Sequence, residues 1–343
     1  MSPDKLSGLI AELMRPTDSL SRPNLNALRH IVGDISAIKL NIKMQGYELA
    51  RQLAEALPVR NDLAPSAIDL RSKPSTQHDL ESDWCAYWLG RLGSPVIFHR
   101  KLWELAFVLQ TIWQHGLMAP DRRGLGFGCG VEPIPSLLAA EGVDVVVTDL
   151  APQEQADTGW TATNQHTYSL DAVFREHIVD RRDFDRHVSM QYVDMRRIPD
   201  TLRDFDFCWS VCALEHLGSI AKGLEFVEAS LATLKPGGLA VHTTEFNFLD
   251  DTATLDNWAT VLFQRAHFES LARDLTAKGH KVAPLDFDVG QSPLDRFIDL
   301  PPYPGDWSPY QKSIWPANPA HLKLAIDGFA STCFGLIVKK AEA

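Results

Sequence analysis

Arg123-Gly-Leu-Gly-Phe-Gly-Cys-Gly-Val-Glu-Pro133 is the stretch on which the fold turns. An apolar run enters Gly126, Gly128 and Gly130. Pro133 stands where a helix can open, since its missing N–H and fixed φ suit a first turn. Glycine permits a tight strand-to-helix turn and removes β-carbons from a surface that a ligand approaches closely. The pattern predicts a nucleotide-type site at the carboxyl end of a first strand. Two familiar loops of this kind do not match. A P-loop ends in Gly-Lys-Ser/Thr, which is absent. A dinucleotide loop needs Gly-x-Gly-x-x-Gly, and its last position falls on Val131 in one register and Pro133 in the other.

Outward from the loop, short apolar runs at Gly124–Phe127, Val143–Thr148, Phe205–Ser210 and Leu239–Thr244 alternate with helical patterns, notably Ile134–Glu141 and Ile220–Leu234. Short buried strands separated by helices predict an α/β fold with a parallel sheet and right-handed crossovers. Ser331–Lys339 reads as a final strand. Asp149 closes the run Val145-Val-Val-Thr-Asp149, at about the spacing from the loop at which an acid grips a ribose; an acidic cap after a strand is the alternative. Further on stand Gln191-Tyr-Val-Asp-Met195, Phe205-Asp-Phe-Cys-Trp-Ser-Val-Cys-Ala-Leu-Glu-His216 and Leu234-Lys-Pro-Gly-Gly-Leu-Ala-Val-His242. Pro-Gly-Gly supplies the fixed and positive φ of a tight turn, so a hairpin is expected before the fifth strand.

The Gly-x-Gly-x-Gly loop, Asp149, the Leu214-Glu-His216 turn and Leu234-Lys-Pro-Gly-Gly238, in this order, resemble the class I S-adenosylmethionine (SAM)-dependent methyltransferases over about Leu117 to Phe246. The resemblance implies a Rossmann-like, seven-stranded, mostly parallel sheet with an antiparallel last strand, plus an N-terminal helical extension. It implies SAM as cofactor, with Gly126, Phe127, Gly128, Gly130, Glu132, Asp149, Leu150, Asp194, Met195 and Ser210 around it. One departure stands out: the family's acid two positions before the first loop glycine is here Gly124, and Glu132 is the acid that compensates from the other side. The Trp84–His115 lead-in, Gly159–His166 and the Pro-rich region resemble a bacterial subgroup with members in glycan biosynthesis.

Methyl transfer to a hydroxyl benefits from a base. His216, in the turn after the fourth strand, titrates near neutrality and is the first candidate; a histidine bonding the turn backbone is the alternative. Glu215 orients it or caps the next helix. His242 and Glu245 fall at the carboxyl edge of the fifth strand, where ligands collect. Trp160 and His166 follow Asp149 and are within reach of cofactor or acceptor. No metal is expected, because no spacing rule joins His216, His242 and Glu245, or completes a zinc site at Cys208 and Cys212. The expected activity is O-methylation of a sugar, a glycan or another small metabolite. Its rivals are a catalytically inactive SAM-binding partner subunit and a nicotinamide-dependent oxidoreductase; the missing third glycine and the Leu-Glu-His and Pro-Gly-Gly elements tell against the latter.

Residues Asn24 to Leu57 carry apolar positions at three- and four-residue spacing and predict a long amphipathic helix, packed on the domain or on a second subunit as a homo-oligomer. Ser82–Leu92 and His99–His115 predict two more helices, the second capped by Gly116. Ala64–Gln77 reads as a polar linker, and Asp288–Ala330, rich in proline, as an ordered loop rather than a strand pair. The expected organisation is a helical extension over 1–98 and a catalytic domain over 99–343, with 288–330 as a lid or surface connection bearing Trp307, Tyr310 and Trp315. A net charge of −11 disfavours a nucleic-acid or anionic-membrane footprint, and Arg181, Arg182, Arg196 and Arg197 read as a solvated face. No run of about 18 apolar residues predicts a membrane span. Five cysteines without a Cys-x-x-Cys pair, and a start without a secretory pattern, suit a cytoplasmic protein.

Overall fold

The glycine stretch leaves a strand, β2 (Arg123–Phe127), at the centre of the sheet. The computed structural model describes residues 3–13, 25–151, 169–303, 305, 307–314 and 319–342. The strands are β1 (Lys73–Pro74), β2, β3 (Asp144–Asp149), β4 (Val188–Tyr192), β5 (Phe205–Val211), β6 (Leu234–Asn247), β7 (Lys281–Val282), β8 (Ile298–Asp299), β9 (Lys323–Ile326) and β10 (Phe329–Lys339). The order is β4-β3-β2-β5-β6-β10-β9-β8, with β1 and β7 also paired to β10. β4 to β6 are parallel neighbours, and Gly126 lies between Val147 and Trp209. β10 runs antiparallel to β6. The expected seven strands are therefore β4-β3-β2-β5-β6-β10-β7, and β1, β8 and β9 extend them. The outer edge of β10 is covered in succession by β9 at Phe329–Ser331, β1 at Phe334–Gly335 and β7 at Val338–Lys339. That leaves little of the strand open to another chain.

The helices are α1 (Pro3–Leu13), α2 (Leu25–Ala56), α3 (Gln77–Leu80), α4 (Asp83–Arg91), α5 (Arg100–Gln114), α6 (Ile134–Ala140), α7 (Arg181–His187), α8 (Ile220–Ala232), α9 (Arg265–Ala277), α10 (Pro293–Arg296) and α11 (Pro309–Ile314). Alternation along a strand sends successive side chains to opposite faces. On one face Phe127, Cys208, Ala240, Phe334 and Leu336 pack with Phe226 and Leu231 of α8 and Phe268 of α9. The opposite face takes α5, buried without interruption from Trp103 to Ile112, so it is covered all round rather than along a stripe. Its Phe107 lies where a β-carbon on Gly335 would sit, which explains that glycine in β10. His99 caps α5, its Nδ1 accepting from the Lys101 amide at 3.0 Å, and Gly116 follows the helix at φ +69°.

Three expectations need correction. Leu234-Lys-Pro-Gly-Gly238 makes no hairpin. Leu234 pairs with Phe205 and Leu239 with Phe207, so the extra residues form a bulge in a parallel strand, with Gly237 at φ +73°. The polar segment 64–77 is no solvated linker. Ser72 and Ser75 are fully buried, Ser72 Oγ accepts from the Ile337 amide, and the Gln114 amide side chain bonds both backbone groups of Ile68. The Pro-rich segment does supply a strand pair, β8 with β9, because its prolines lie outside both strands.

Cα packing divides the chain into two units, Met1–Leu49 with Leu300–Ala317, and Ala50–Asp299 with Asn318–Ala343. In the first, the buried Lys43 donates to Tyr47 Oη at 3.1 Å and lies over the Tyr47 and Tyr303 rings. Trp307 packs on Tyr47 and donates to the Pro302 carbonyl, so it is a core residue, whereas Tyr310 is exposed. Trp315 lies outside the described residues. In the second unit, Arg181 pairs with Asp171 and Asp185, and Arg196 with Asp194. Among the described residues no helix is long and apolar enough to cross a membrane.

Candidate active site

The glycine loop leaves β2 with Gly128 at φ +58° and Gly130 at +53°, which favour glycine. A β-carbon on Gly128 would stand 2.9 Å from Ala213 Cβ and 3.4 Å from Met195 Sδ. The loop is tied to the next strand. Thr148 Oγ1 donates to the Gly126 carbonyl at 2.8 Å, and the Cys129 amide donates to the Thr148 carbonyl at 3.1 Å. Asp149, buried at the end of β3, accepts from the Gly130 amide at 3.1 Å and the Leu150 amide at 2.8 Å. These bonds fix the orientation of its carboxylate. Asp194 follows β4, where its carboxylate takes the Arg196 guanidinium and backbone amide, which hold it below the usual carboxylate range against its burial. Glu132, two residues past Gly130, accepts from Trp209 Nε1 at 2.7 Å, and burial raises its carboxyl to about 8. At position 124 a β-carbon would stand 2.5 Å from the Phe207 ring, so the acid usual there has no room.

A second cluster lies where the start of α5 meets the carboxyl ends of β5 and β6. Arg100 forms an ion pair with Glu245, whose other oxygen accepts from Ser331 Oγ at 2.6 Å. Glu104 accepts from Thr243 Oγ1 at 2.6 Å and Cys333 Sγ at 2.8 Å, with Arg100 and Lys101 within 3.8 Å and 3.7 Å. Against a burial that would raise it, those cations hold the Glu104 carboxyl below its ordinary value. Glu215, in the turn after β5, accepts from Thr244 Oγ1 at 3.0 Å through Oε2. Its Oε1 is buried with no hydrogen-bond partner among the described residues, as is Arg100 Nε. Burial, and then the Glu245 carboxylate, raise Glu215 to about 8. His216 Nδ1 lies 2.9 Å from the Ala259 carbonyl, which makes it the N–H nitrogen and Nε2 the lone-pair nitrogen, 3.9 Å from Glu215 Oε1. Burial lowers His216 to about 4, so it is neutral at pH 7.

A family model described as a methyltransferase domain matches residues 90–282, which include the loop, Asp149, Asp194 and the Glu215–His216 turn. The chain belongs to the class I SAM-dependent methyltransferases. Its cofactor is SAM. Solved structures similar to this methyltransferase include a candidate sarcosine dimethylglycine methyltransferase from Galdieria sulphuraria, at 14% identity and TM-score 0.42, covering 76% of this chain and 99% of that one. A SAM-dependent methyltransferase from Clostridium acetobutylicum matches at 10% identity and TM-score 0.39, covering 75% and 97%. An amino pentose methyltransferase from Micromonospora echinaspora matches at 14% and 0.37, covering 68% and 89%. No curated protein matches the chain.

Within the methyltransferase, some of the residues singled out from sequence come together and others do not. Gly126, Gly128, Gly130, Asp149, Leu150 and Met195 gather around the loop, with Glu132 beside it. Glu215, His216 and Glu245 share the second cluster. His242 does not reach it: its Nδ1 is 2.8 Å from Ser210 Oγ and its Nε2 3.1 Å from Ser230 Oγ, on the α8 face. Ser210 and Phe127 also send their side chains to that face, Phe127 against Phe226, so neither side chain points at the loop's ligand side. Trp160 and His166 lie outside the described residues. Sequence reasoning missed Arg100, Lys101, Glu104 and Cys333. A glutamate inside Leu102-Trp-Glu-Leu-Ala-Phe107, four residues after an arginine, was the available signal, since a charge amid residues bound for the core is buried with a partner. It also missed the Asp299–His321 pair, at 2.8 Å, beside His99.

Proposed function

We propose that this methyltransferase methylates a hydroxyl of a sugar, a glycan or another small polar metabolite, and that Glu215, beside His216, holds that hydroxyl. One observation carries the reading: a buried carboxyl oxygen without a hydrogen bond stands 3.9 Å from the lone-pair nitrogen of His216. A hydroxyl that donates its proton to that oxygen satisfies it.

The loop suits the cofactor, because the buried Asp149 carboxylate stands at its edge, oriented by the Gly130 and Leu150 amides. Asp149 takes the ribose hydroxyls, with Leu150 beside it. Met195 packs on the adenine and Asp194 lies at its amino edge. Glu132 receives the ammonium group in place of the acid that Gly124 cannot be. Gly126, Phe127, Gly130 and Ser210 contribute backbone only. When bound, SAM supplies a methyl group on a sulfonium sulfur, already a strong electrophile. The residues chiefly align acceptor with donor, an effect of roughly 7–11 kcal/mol.

The hydroxyl proton needs a destination. Burial favours the neutral form of each group, so His216 gives up its proton readily while Glu215 keeps one. Glu215 is therefore the base, and His216 is a neutral neighbour beside it. A base in this role contributes about 10²–10⁴-fold. The test measures S-adenosylhomocysteine release against panels of hydroxyl and amine acceptors. Turnover with sugars or other alcohols is expected. Turnover with amines alone would overturn the acceptor class, and SAM binding without any turnover would favour an inactive partner subunit.

The exposed row Ile35, Ile38 and Ile42 on α2 supports self-association through the N-terminal helices, to be read as a dimer mass by light scattering. Five cysteines without a disulfide suit the cytoplasm.

A further inference from the structure

Glu132 and Glu215 have no cation of their own among the described residues. Arg100 and Lys101 are engaged by Glu245 and Glu104. Glu132 is bonded by a neutral indole, with Cys129 beside it and Lys101 and Glu104 facing it from α5. Glu215 is faced by Glu245 and Thr244 from β6, by Glu104 and Lys101 from α5, and by Cys212 and His216 from its own turn. Carboxylates outnumber cations around it, and its Oε1 has no donor. Ionising Glu215 there places a third negative charge beside Glu104 and Glu245 with only two positive ones to meet it. A cation brought into the chamber removes that imbalance.

We infer that Glu215 distinguishes the cationic methyl donor from its neutral thioether product: it carries a proton in the empty site, surrenders it when the sulfonium is bound, and takes one back from the acceptor hydroxyl. The bookkeeping of atoms closes. The acceptor oxygen forms its bond to the methyl carbon, the carbon–sulfur bond breaks with its electron pair left on sulfur, and the hydroxyl proton passes to Glu215. Before transfer the chamber holds a sulfonium and the Glu215 carboxylate; afterwards it holds a thioether and the Glu215 carboxylic acid. Its net charge is the same in both states. A buried site therefore never has to stabilise an unmatched charge, which would be expensive there. The product leaves a Glu215 already in its resting form.

Glu132 makes a useful contrast. The ammonium group it receives is common to SAM and S-adenosylhomocysteine, so proton release from Glu132 is equal for the two. Their difference isolates Glu215. A carboxyl at about 8 is about nine-tenths protonated at pH 7, and an opposite charge within about 4–6 Å lowers such a group by about 1–3 in pKa. SAM should then release at least about 0.4 proton more than S-adenosylhomocysteine at pH 7.

This rests on the reading of the glycine crevice and the adjoining turn as the place where the sulfonium lies. The experiment is calorimetric titration of the full chain with SAM and with S-adenosylhomocysteine, in buffers of differing ionisation enthalpy, between pH 6 and 9. Expected is an excess proton release for SAM that is largest near pH 7 and vanishes above about pH 9, where Glu215 is already ionised. Glu215→Gln should abolish the excess while still binding SAM. Glu132→Gln should lower both releases equally and preserve the excess. Equal release by the two ligands in the unaltered protein, or an excess that survives in Glu215→Gln, overturns the inference. Should Glu215→Gln not fold, the pH course of the excess in the unaltered protein decides alone. Failure of SAM to bind would instead sink the crevice reading.

Discussion

Two faces of the same pair of strands, β5 and β6, bury polar groups in opposite ways. On the α8 face, Ser210, His242 and Ser230 form a neutral chain. Ser230 Oγ donates to the Val227 carbonyl at 2.7 Å, so it accepts from His242 Nε2, and His242 Nδ1 accepts from Ser210. Every ring valence is used, and burial lowers His242 to about 3. On the α5 face the groups are charged, and the pairing stops short: Glu215 Oε1 and Arg100 Nε have no partner among the described residues. Both faces hold titratable groups with displaced proton affinity. Only one has hydrogen-bonding capacity left over. Displacement alone therefore does not mark a site; unspent donors and acceptors in a buried place do.

That contrast can be broken most directly by paired kinetics. Glu215→Gln should cut kcat by about 10²–10⁴-fold, or about 3–5 kcal/mol in barrier, with SAM still bound. His242→Gln should leave kcat within about twofold and lower stability by about 1–3 kcal/mol, as unpaired buried serines would. If the two variants exchanged these effects, the assignment of the faces would be reversed. Next in size is Arg100→Met. It strands the Glu245 carboxylate, so chemical denaturation should show a loss of about 3–5 kcal/mol. A loss under about 1 kcal/mol would mean that the charges of the α5 face do not form a network. The smallest effect sharpens the other face. His242 has a folded value of about 3, depressed from the 6.5 of a free histidine. The unfolded chain thus binds a proton below about pH 6.5 that the folded one refuses, and stability falls as pH drops from there toward 3. At pH 5 this is about 2 kcal/mol, and His242→Gln should flatten the unfolding midpoint over that window.

The central strands were readable because their signals are local: a glycine loop, apolar runs of five or six residues, and an acid at the end of each turn. The glycine-loop side inherits that legibility, since Gly126 to Asp149 is one strand–helix–strand passage. The second cluster is not local. Glu104 meets Cys333, 229 residues away, and Glu245 meets Arg100. No pattern within one element announces those pairs. His242 shows a different limit. Alternation says that His242 and Glu245 lie on opposite faces of β6, but it does not say which face the ligand uses. Helix α9 was missed because only Phe268, Leu271 and Leu275 of its thirteen residues are buried, too few to raise the pattern above a charged background. β7 and β9 are strands only because β10 offers them an edge, which no propensity of their own foretells.

β10 carries a consequence for how the protein is made. It is the last of the sheet's strands to leave the ribosome, yet it lies inside the sheet, between β6 and the three short strands on its far side. A nascent chain halted before residue 329 would hold β6 as a bare margin, with Glu104 lacking Cys333 and Glu245 lacking Ser331. Such a chain can assemble the glycine-loop half early, but the Glu104–Glu245 cluster must wait for β10 to dock. Partial chains should therefore engage chaperones through the naked side of β6, and truncation within β10 should abolish solubility and turnover together.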